Sequence, residues 1–274
     1  AHKRGTEQHR ILSRKKVNTI QWLTENGTIA KAFPVFPEPE TVAIEHILLA
    51  EGEDIADLSA RFNKMGLPGN RSPFENSGIM SNNRYWTLRT RPIFEGFHQN
   101  LSDILLTPGK VPDEYFLSAS SLTQVKGWKY LKGAKKEKRH GRDGFVYNYS
   151  EGGMIFPDAL DKPSRTIITG EGGSSPSRFK HVVKFKPTKG QRTRLNLDSK
   201  GHNKIRRDMG LLKSEWVRRL TPIELERLNM FPDNHTEGAS DSKRAFFMGN
   251  ALVIGIVKRL GDVLAEMENN PNPN

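Results

Sequence analysis

The sequence predicts an α+β chain in which a mostly β, strongly basic middle follows a Pro-broken N-terminal stretch and precedes a helical end. Three observations carry that expectation. Lys and Arg are concentrated between Ser121 and Arg219, 24 against nine Asp and Glu, so this segment holds +15 in a chain whose formal net charge is +12. Within it, short runs of branched and aromatic residues alternate with Gly- and Ser-rich turns, the pattern of short strands. Beyond Arg219 the apolar residues recur at spacings of three and four, the period of helices.

The elements follow in order. Ala32-Phe33-Pro34-Val35-Phe36-Pro37-Glu38-Pro39 holds too many prolines for a helix. From Glu40 to Met65, Ile44, Ile47, Leu48, Ile55, Leu58 and Phe62 lie at near-helical spacing interrupted by Gly52, which predicts one or two short helices. Gly66 to Asn83 is rich in Gly, Pro, Asn and Ser and is expected to be loop. Tyr85-Trp86-Thr87-Leu88-Arg89-Thr90 predicts a strand, and Leu101 to Leu106 a short helix or turn. Tyr130 to Arg142, with Lys132, Lys135, Lys136, Lys138, Arg139 and Arg142, is expected to be a mobile basic strip. Strands are expected at 145–149, 165–169 and 181–185. In Thr221-Pro222-Ile223-Glu224 the threonine is placed to cap a helix, proline sits at its first position, and glutamate reaches back to the cap. Pro232 stops that helix. A further helix follows Asn250, with Val253, Ile256, Val257, Leu260, Val263, Leu264 and Met267 on one face. The Asn/Pro tail is expected to be disordered.

Composition narrows the function classes. The 274 residues and 35% hydrophobic content suffice for a buried core in one or two domains. No run approaches the roughly 18 apolar residues of a membrane span, and the basic start has no apolar stretch behind it. A cytoplasmic protein is therefore expected, with no membrane partner. The absence of cysteine excludes disulfides, thiolate zinc sites and a cysteine nucleophile from this chain. No metal site is expected. A localised basic field suits a polyanionic partner, since Lys and Arg on phosphates release condensed counterions, but it equally suits a solvated surface.

Arg219-Leu220-Thr221-Pro222-Ile223-Glu224, Arg227-Leu228 and Phe231-Pro232-Asp233, followed after a polar spacer by Met248-Gly249-Asn250-Ala251-Leu252-Val253, resemble in order and spacing the last two sequence motifs of DNA (cytosine-5) methyltransferases. Pro163-Ser164-Arg165-Thr166-Ile167-Ile168-Thr169-Gly170 and Gly172-Gly173-Ser174-Ser175-Pro176-Ser177-Arg178 resemble the family's target-recognition region. Ser72-Pro73-Phe74-Glu75-Asn76-Ser77-Gly78 and Lys31-Ala32-Phe33-Pro34-Val35 resemble segments between catalytic core and recognition region in bacterial and phage members. The Gly-rich cofactor loop, the Pro-Cys nucleophile, the Glu-Asn-Val carboxylate and the Gln-x-Arg-x-Arg strand of the family's first half have no counterpart in order here. Glu75-Asn76-Ser77 and Gln191-Arg192-Thr193-Arg194 imitate two of them, but in the wrong order and with no cysteine before them.

The resemblance implies a connecting segment at 1–60, a target-recognition domain at 60–235, and a C-terminal helix at 236–274 that completes an α/β S-adenosyl-L-methionine-dependent methyltransferase fold supplied by a partner chain. The expected partners are double-stranded DNA and a catalytic subunit or N-terminal half carrying the Pro-Cys motif. The implied setting is a bacterial or phage-infected cell, nucleoid-associated, in a restriction-modification system. Thr166 matches the family's phosphate-contacting threonine beside the flipped cytosine, with Arg165, Arg178 and Lys180 adding charge. Arg142, Asn148 and Arg178 are candidates for base reading, and Arg192 and Arg194 belong to an enlarged basic domain. Gly249, Asn250 and Ala251 are implied to open a helix beside S-adenosyl-L-methionine, shared with the missing catalytic half. Arg219, Glu224 and Arg227 are given a structural task. No catalytic residue is expected in this chain. Two rivals remain: a stand-alone DNA-binding protein derived from a methyltransferase, and a metal-dependent hydrolase using Asp158, Glu171 and a lysine, whose acids lack ligand spacing.

Overall fold

The computed structural model describes residues 28–38, 45–64, 75–81, 84–94, 96–142 and 144–269. The Asn/Pro tail beyond 269, residues 66–74 and 82–83 of the expected loop, and residues 39–44 and 65 lie outside the described residues. The chain divides into two compact units, residues 1–96 with 258–274, and residues 97–257.

The first unit holds α1 (Thr28–Ala32), β1 (Val35–Pro37), β2 (Glu45–Leu48), α2 (Ile55–Lys64), β3 (Ser77–Ser81), β4 (Arg84–Leu88) and β5 (Thr90–Pro92). β1 pairs antiparallel with β5, and β4 is the centre of an antiparallel β2-β4-β3 sheet. Two sequence expectations change here. Glu45–Leu48 is a strand rather than helix, because its backbone finds partners on Arg84–Thr87. Ser77–Ser81, expected to be loop, is the other edge of the same sheet. The helix expected near Ile55 forms, started by Asp54 and Asp57, each carboxylate accepting from the other's backbone N–H. Asn76 donates to the Thr90 carbonyl at 2.6 Å and accepts from its amide at 2.8 Å, while Glu75 faces Arg89. These contacts give Glu75-Asn76-Ser77 a structural task.

The second unit begins with single 3-10 turns at Leu101–Ile104, Pro108–Lys110 and Asp113–Tyr115. It continues with α3 (Ala119–Thr123), α4 (Trp128–Lys132), β6 (Lys135–His140), β7 (Val146–Glu151), β8 (Val182–Phe185), α5 (Lys189–Arg194), α6 (Lys200–Asp208), β9 (Trp216–Arg219), α7 (Pro222–Leu228), α8 (Asp241–Asn250) and the first turn of α9 (Ile254–Asn269). The only sheets among its described residues are two antiparallel pairs, β6-β7 and β8-β9. The fold is thus mixed α and β, with more helix in this unit than the expected mostly β domain. Lys135–His140 is a strand instead of a mobile strip, and the strand expected at 165–169 is absent.

The β8-β9 pair organises the core. Trp128 and Trp216 are fully buried in a cluster with Phe116, Leu122, Phe185 and Val217. On the other side Val183 packs with Leu101, Ile104, Leu220, Leu225, Ala245 and Met248. Arg218 is enclosed completely and would be costly alone, since a buried charge needs a partner. It donates to both carboxylate oxygens of Glu224, at 2.8 and 2.6 Å, and stacks 4.0 Å from the Phe185 ring centre. Glu224 in turn accepts from the amides of Leu106 and Thr221 at 2.8 Å. The capping box read from Thr221 and Glu224 is therefore formed, and its carboxylate also ties three chain segments together.

Candidate functional site

A cleft of about 380 Å³ opens in the second unit, lined on one side by Ser164, Arg165, Thr166 and Ile167 and on the other by Asn229, Met248, Gly249, Ala251 and Val253. Gln99, Asn100 and Ile104 close it. The wall formed by 164–167 has no ladder of its own, so its position depends on side chains behind it. Arg165 grips Asp158 through two bonds, 2.7 and 3.2 Å, and donates to the Phe179 and Lys180 carbonyls. Asp158 also accepts from the Val182 amide at 2.7 Å, which anchors the grip to β8. Ser164 Oγ lies 3.0 Å from His181 Nε2, and His181 Nδ1 lies 3.0 Å from Glu171 Oε1. Lys180 donates to the carbonyls of Gly173 and Ser175, and burial lowers its pKa.

The opposite wall is held against the first by glycine. A β-carbon on Gly249 would lie 2.5 Å from the Ile168 carbonyl carbon and from the Thr169 α-carbon. One on Gly172 would meet the Ser242 α-carbon at 2.9 Å. α8 therefore touches backbone along 168–172, an approach that a side chain at either position would prevent. Asn229 joins the ends of two helices: its side chain donates to the Met248 carbonyl at 2.7 Å, and its carbonyl accepts from the Ile254 amide at 3.0 Å. Sequence reasoning assigned no role to Asn229 or Ser164, although Ser164 stands in the segment 163–170 singled out there and Asn229 directly follows Arg227-Leu228.

Gly249 and Ala251 line this cleft with Thr166, but Asn250 does not. The expectation that Gly249-Asn250-Ala251 opens a helix is corrected: Asn250 is the last residue of α8, and its side-chain amide donates to the Phe246 carbonyl at 3.0 Å. That bond folds the Asn250 side chain back along its own helix, one turn towards the N-terminus. α9 starts only at Ile254, whose amide is taken by Asn229.

The other residues singled out from sequence divide by their partners. Thr166 is exposed and its hydroxyl bonds to no described residue; Arg142 and Asn148 are likewise exposed, on the β6-β7 hairpin. Arg178 donates to the carbonyls of Leu131 and Gly152 and pairs with Glu151 at 2.8 Å. Arg192 pairs with Asp198 and donates to the Lys213 carbonyl. Arg194 holds Asp113 through two bonds, 2.6 and 3.0 Å, and this keeps the Asp113 carboxyl below its usual range. Arg219 reaches the Glu114 carbonyl, and Arg227 pairs with Asp233 and donates to the Ile104 carbonyl. Among the described residues no His, Asp and Glu cluster could hold a metal ion, and no helix is long and apolar enough to cross a membrane.

Comparison with known proteins decides the family. The family model for C-5 cytosine-specific DNA methylase matches residues 48–266. The chain belongs to this family. A relative, the type II methyltransferase M.Sau3AI of Staphylococcus aureus, is 36% identical over 249 residues, which are 90% of this chain and 49% of the relative. The chain thus spans about half the length of the curated relative it matches. No solved structure matches it. C-5 cytosine DNA methylases use S-adenosyl-L-methionine. The cleft does not fit that cofactor as a whole, because no carboxylate stands among its lining residues to meet a ribose diol or an amino group. Gly249 and Ala251 are among its lining residues, and the space beside Gly249 is taken by the Ile168–Thr169 backbone.

Proposed function

We propose that the chain is the DNA-recognition portion of a DNA (cytosine-5) methyltransferase. It binds double-stranded DNA, helps displace the target cytosine and contributes one wall of the cofactor pocket. The cysteine nucleophile comes from outside these 274 residues, in a partner subunit or in another part of the same polypeptide. The observation that carries the reading is the contact of Gly249 with the Ile168–Thr169 backbone. It makes the family's last motif and the segment bearing Thr166 two sides of one cleft.

Methylation at carbon 5 needs a thiolate to attack carbon 6 and a carboxyl group beside the ring nitrogen. This chain has no cysteine, so by itself it transfers no methyl group. Its contribution is positional. Moving a base out of the stack costs a few kcal/mol, which phosphate contacts offset. Thr166, with a free hydroxyl at the cleft, is suited to donate to a phosphate oxygen; Arg165 and Lys180 act behind it by fixing the segment. The exposed apolar stripe of α9, including Ile256, Val257 and Leu264, is the surface that docks on the cysteine-bearing portion. The type II name of the relative favours a role in restriction-modification.

The test is methyl transfer from labelled S-adenosyl-L-methionine to mixed-sequence DNA, by this chain alone and together with the cysteine-bearing portion. Transfer only in the combination, weakened at least tenfold by Thr166→Ala, is the expected result. No transfer with a folded partner, but salt-sensitive binding to one DNA site by this chain, would replace the reading with a DNA-binding protein derived from a methyltransferase. That second reading is favoured by the absent cysteine.

A further inference from the structure

The β6-β7 ribbon lies outside the cleft, and its two faces differ in a way that composition does not reveal. Register pairs Lys135 with Glu151, Glu137 with Tyr149 and Arg139 with Tyr147 on one face. Here the charges are spent internally: Lys135 meets Glu151 at 2.8 Å, Arg139 meets Glu137 at 2.6 Å, and the Arg139 guanidinium lies 3.4 Å from the Tyr149 ring centre. Arg178 reaches the same Glu151 and pins the foot of the ribbon to the body. The other face presents Lys136, Lys138, His140, Val146, Asn148 and Ser150. All six are exposed, none is acidic, and none makes a side-chain hydrogen bond or ion pair to a described residue.

We infer that this second face reads base edges in the major groove of double-stranded DNA, with Asn148 and Lys138 as the specificity-determining pair. The inference rests on the reading of the chain as a DNA-recognition portion. Three arguments carry it. The major groove, about 12 Å wide, admits a two-stranded ribbon, whose strands lie about 4.8 Å apart. Lys138 and Asn148 are directly opposed at the centre of the face, so their β-carbons lie about 5 Å apart and reach neighbouring base pairs. An amide side chain matches the donor and acceptor of adenine, and a lysine matches the two acceptors of guanine. Lys136 and His140 flank the pair along the strand, where their contacts are to phosphates. The internally neutralised face supplies stiffness, since its ion pairs and the Arg139–Tyr149 stack hold the strands in register without drawing on the reading side chains.

The experiment uses the full protein, with its cysteine-bearing portion, and a randomised duplex library. The bound sequences define a preferred site, and Asn148→Ala, Lys138→Ala, Lys136→Ala and the opposite-face control Tyr149→Phe are then compared on it. Asn148→Ala is expected to lose discrimination of about tenfold or more at one A·T pair. Replacing that adenine by 7-deazaadenine should weaken the wild-type protein and leave Asn148→Ala unaffected. Lys136→Ala should weaken binding to every duplex alike and lower the slope of log affinity against log salt by roughly 0.9. Full discrimination retained by both Asn148→Ala and Lys138→Ala, or lost equally in Tyr149→Phe, would overturn the ribbon inference while the recognition role stands. A wild-type protein that selects no site would overturn the recognition role itself.

Discussion

Gly249→Ala measures how far the cleft depends on contact between α8 and the recognition segment. The added carbon would lie 2.5 Å from the Ile168 carbonyl carbon and the Thr169 α-carbon, whereas carbon atoms in contact ordinarily sit about 3.5–4.0 Å apart. Roughly 1 Å must open between a helix and a backbone segment, neither of which is a flexible side-chain end. In open space a helical Gly→Ala change stabilises by roughly 0.5–1 kcal/mol, while overpacking costs about 1–3 kcal/mol. The net expectation is a loss of about 1–2 kcal/mol. Gly261→Ala in α9 is the matched comparison, because nothing lies within 4 Å of its β-carbon position. Urea denaturation should give a lower midpoint for Gly249→Ala and a higher one for Gly261→Ala, with unchanged slopes. DNA affinity should fall only in the first, since the displaced segment carries Thr166. Equal stability and equal DNA affinity of the two variants would refute the argument.

Glu224→Gln leaves Arg218 buried without its counter-charge, and the loss should be about 3–5 kcal/mol in denaturation; a change under 1 kcal/mol would mean that Arg218 finds another partner. Burial pushes the Lys132 amine down to about 8. Between that value and the ordinary ~10.4 the unfolded chain binds more protons, so this group makes stability rise with pH over that window. Lys132→Met should therefore be more stable at pH 7 by on the order of 3 kcal/mol, less about 1 kcal/mol for the lost bond to the Lys180 carbonyl. The advantage over wild type should shrink as pH rises from about 8 and by about pH 10.5 give way to a small deficit, under about 1 kcal/mol, from the lost bond; a pH-independent gap would contradict the assignment. Leu264→Asp, on the exposed stripe of α9, should leave the melting of this chain unchanged and abolish its co-elution with the cysteine-bearing portion in gel filtration.

What the sequence revealed and what it hid differ by the distance over which partners act. The start of α7 was legible because Thr221, Pro222 and Glu224 lie within one turn and their bonds are local. β7 and β8 were legible from branched and aromatic residues alone. β6 was not: Lys-Lys-Glu-Lys-Arg-His has no strand composition, and what makes it a strand is supplied by Tyr149 and Glu151 across the ladder. The missed bend at 165–169 has the same origin. Its Ile and Thr residues favour a strand, but Arg165 is drawn to Asp158 and the Ile168–Thr169 backbone is covered by α8.

Charge was hidden most thoroughly of all. Counting placed Arg178, Arg192 and Arg194 together in one basic field, yet each faces a carboxylate, on Glu151, Asp198 and Asp113. The cations left over are fewer and lie where strand pairing turns them outward, and among these are Lys136 and Lys138 on one face of the ribbon. A net charge reports the strength of attraction to a polyanion at long range. Which side chains touch it depends on those the fold has not already paired, and that subtraction requires the register of β6 against β7.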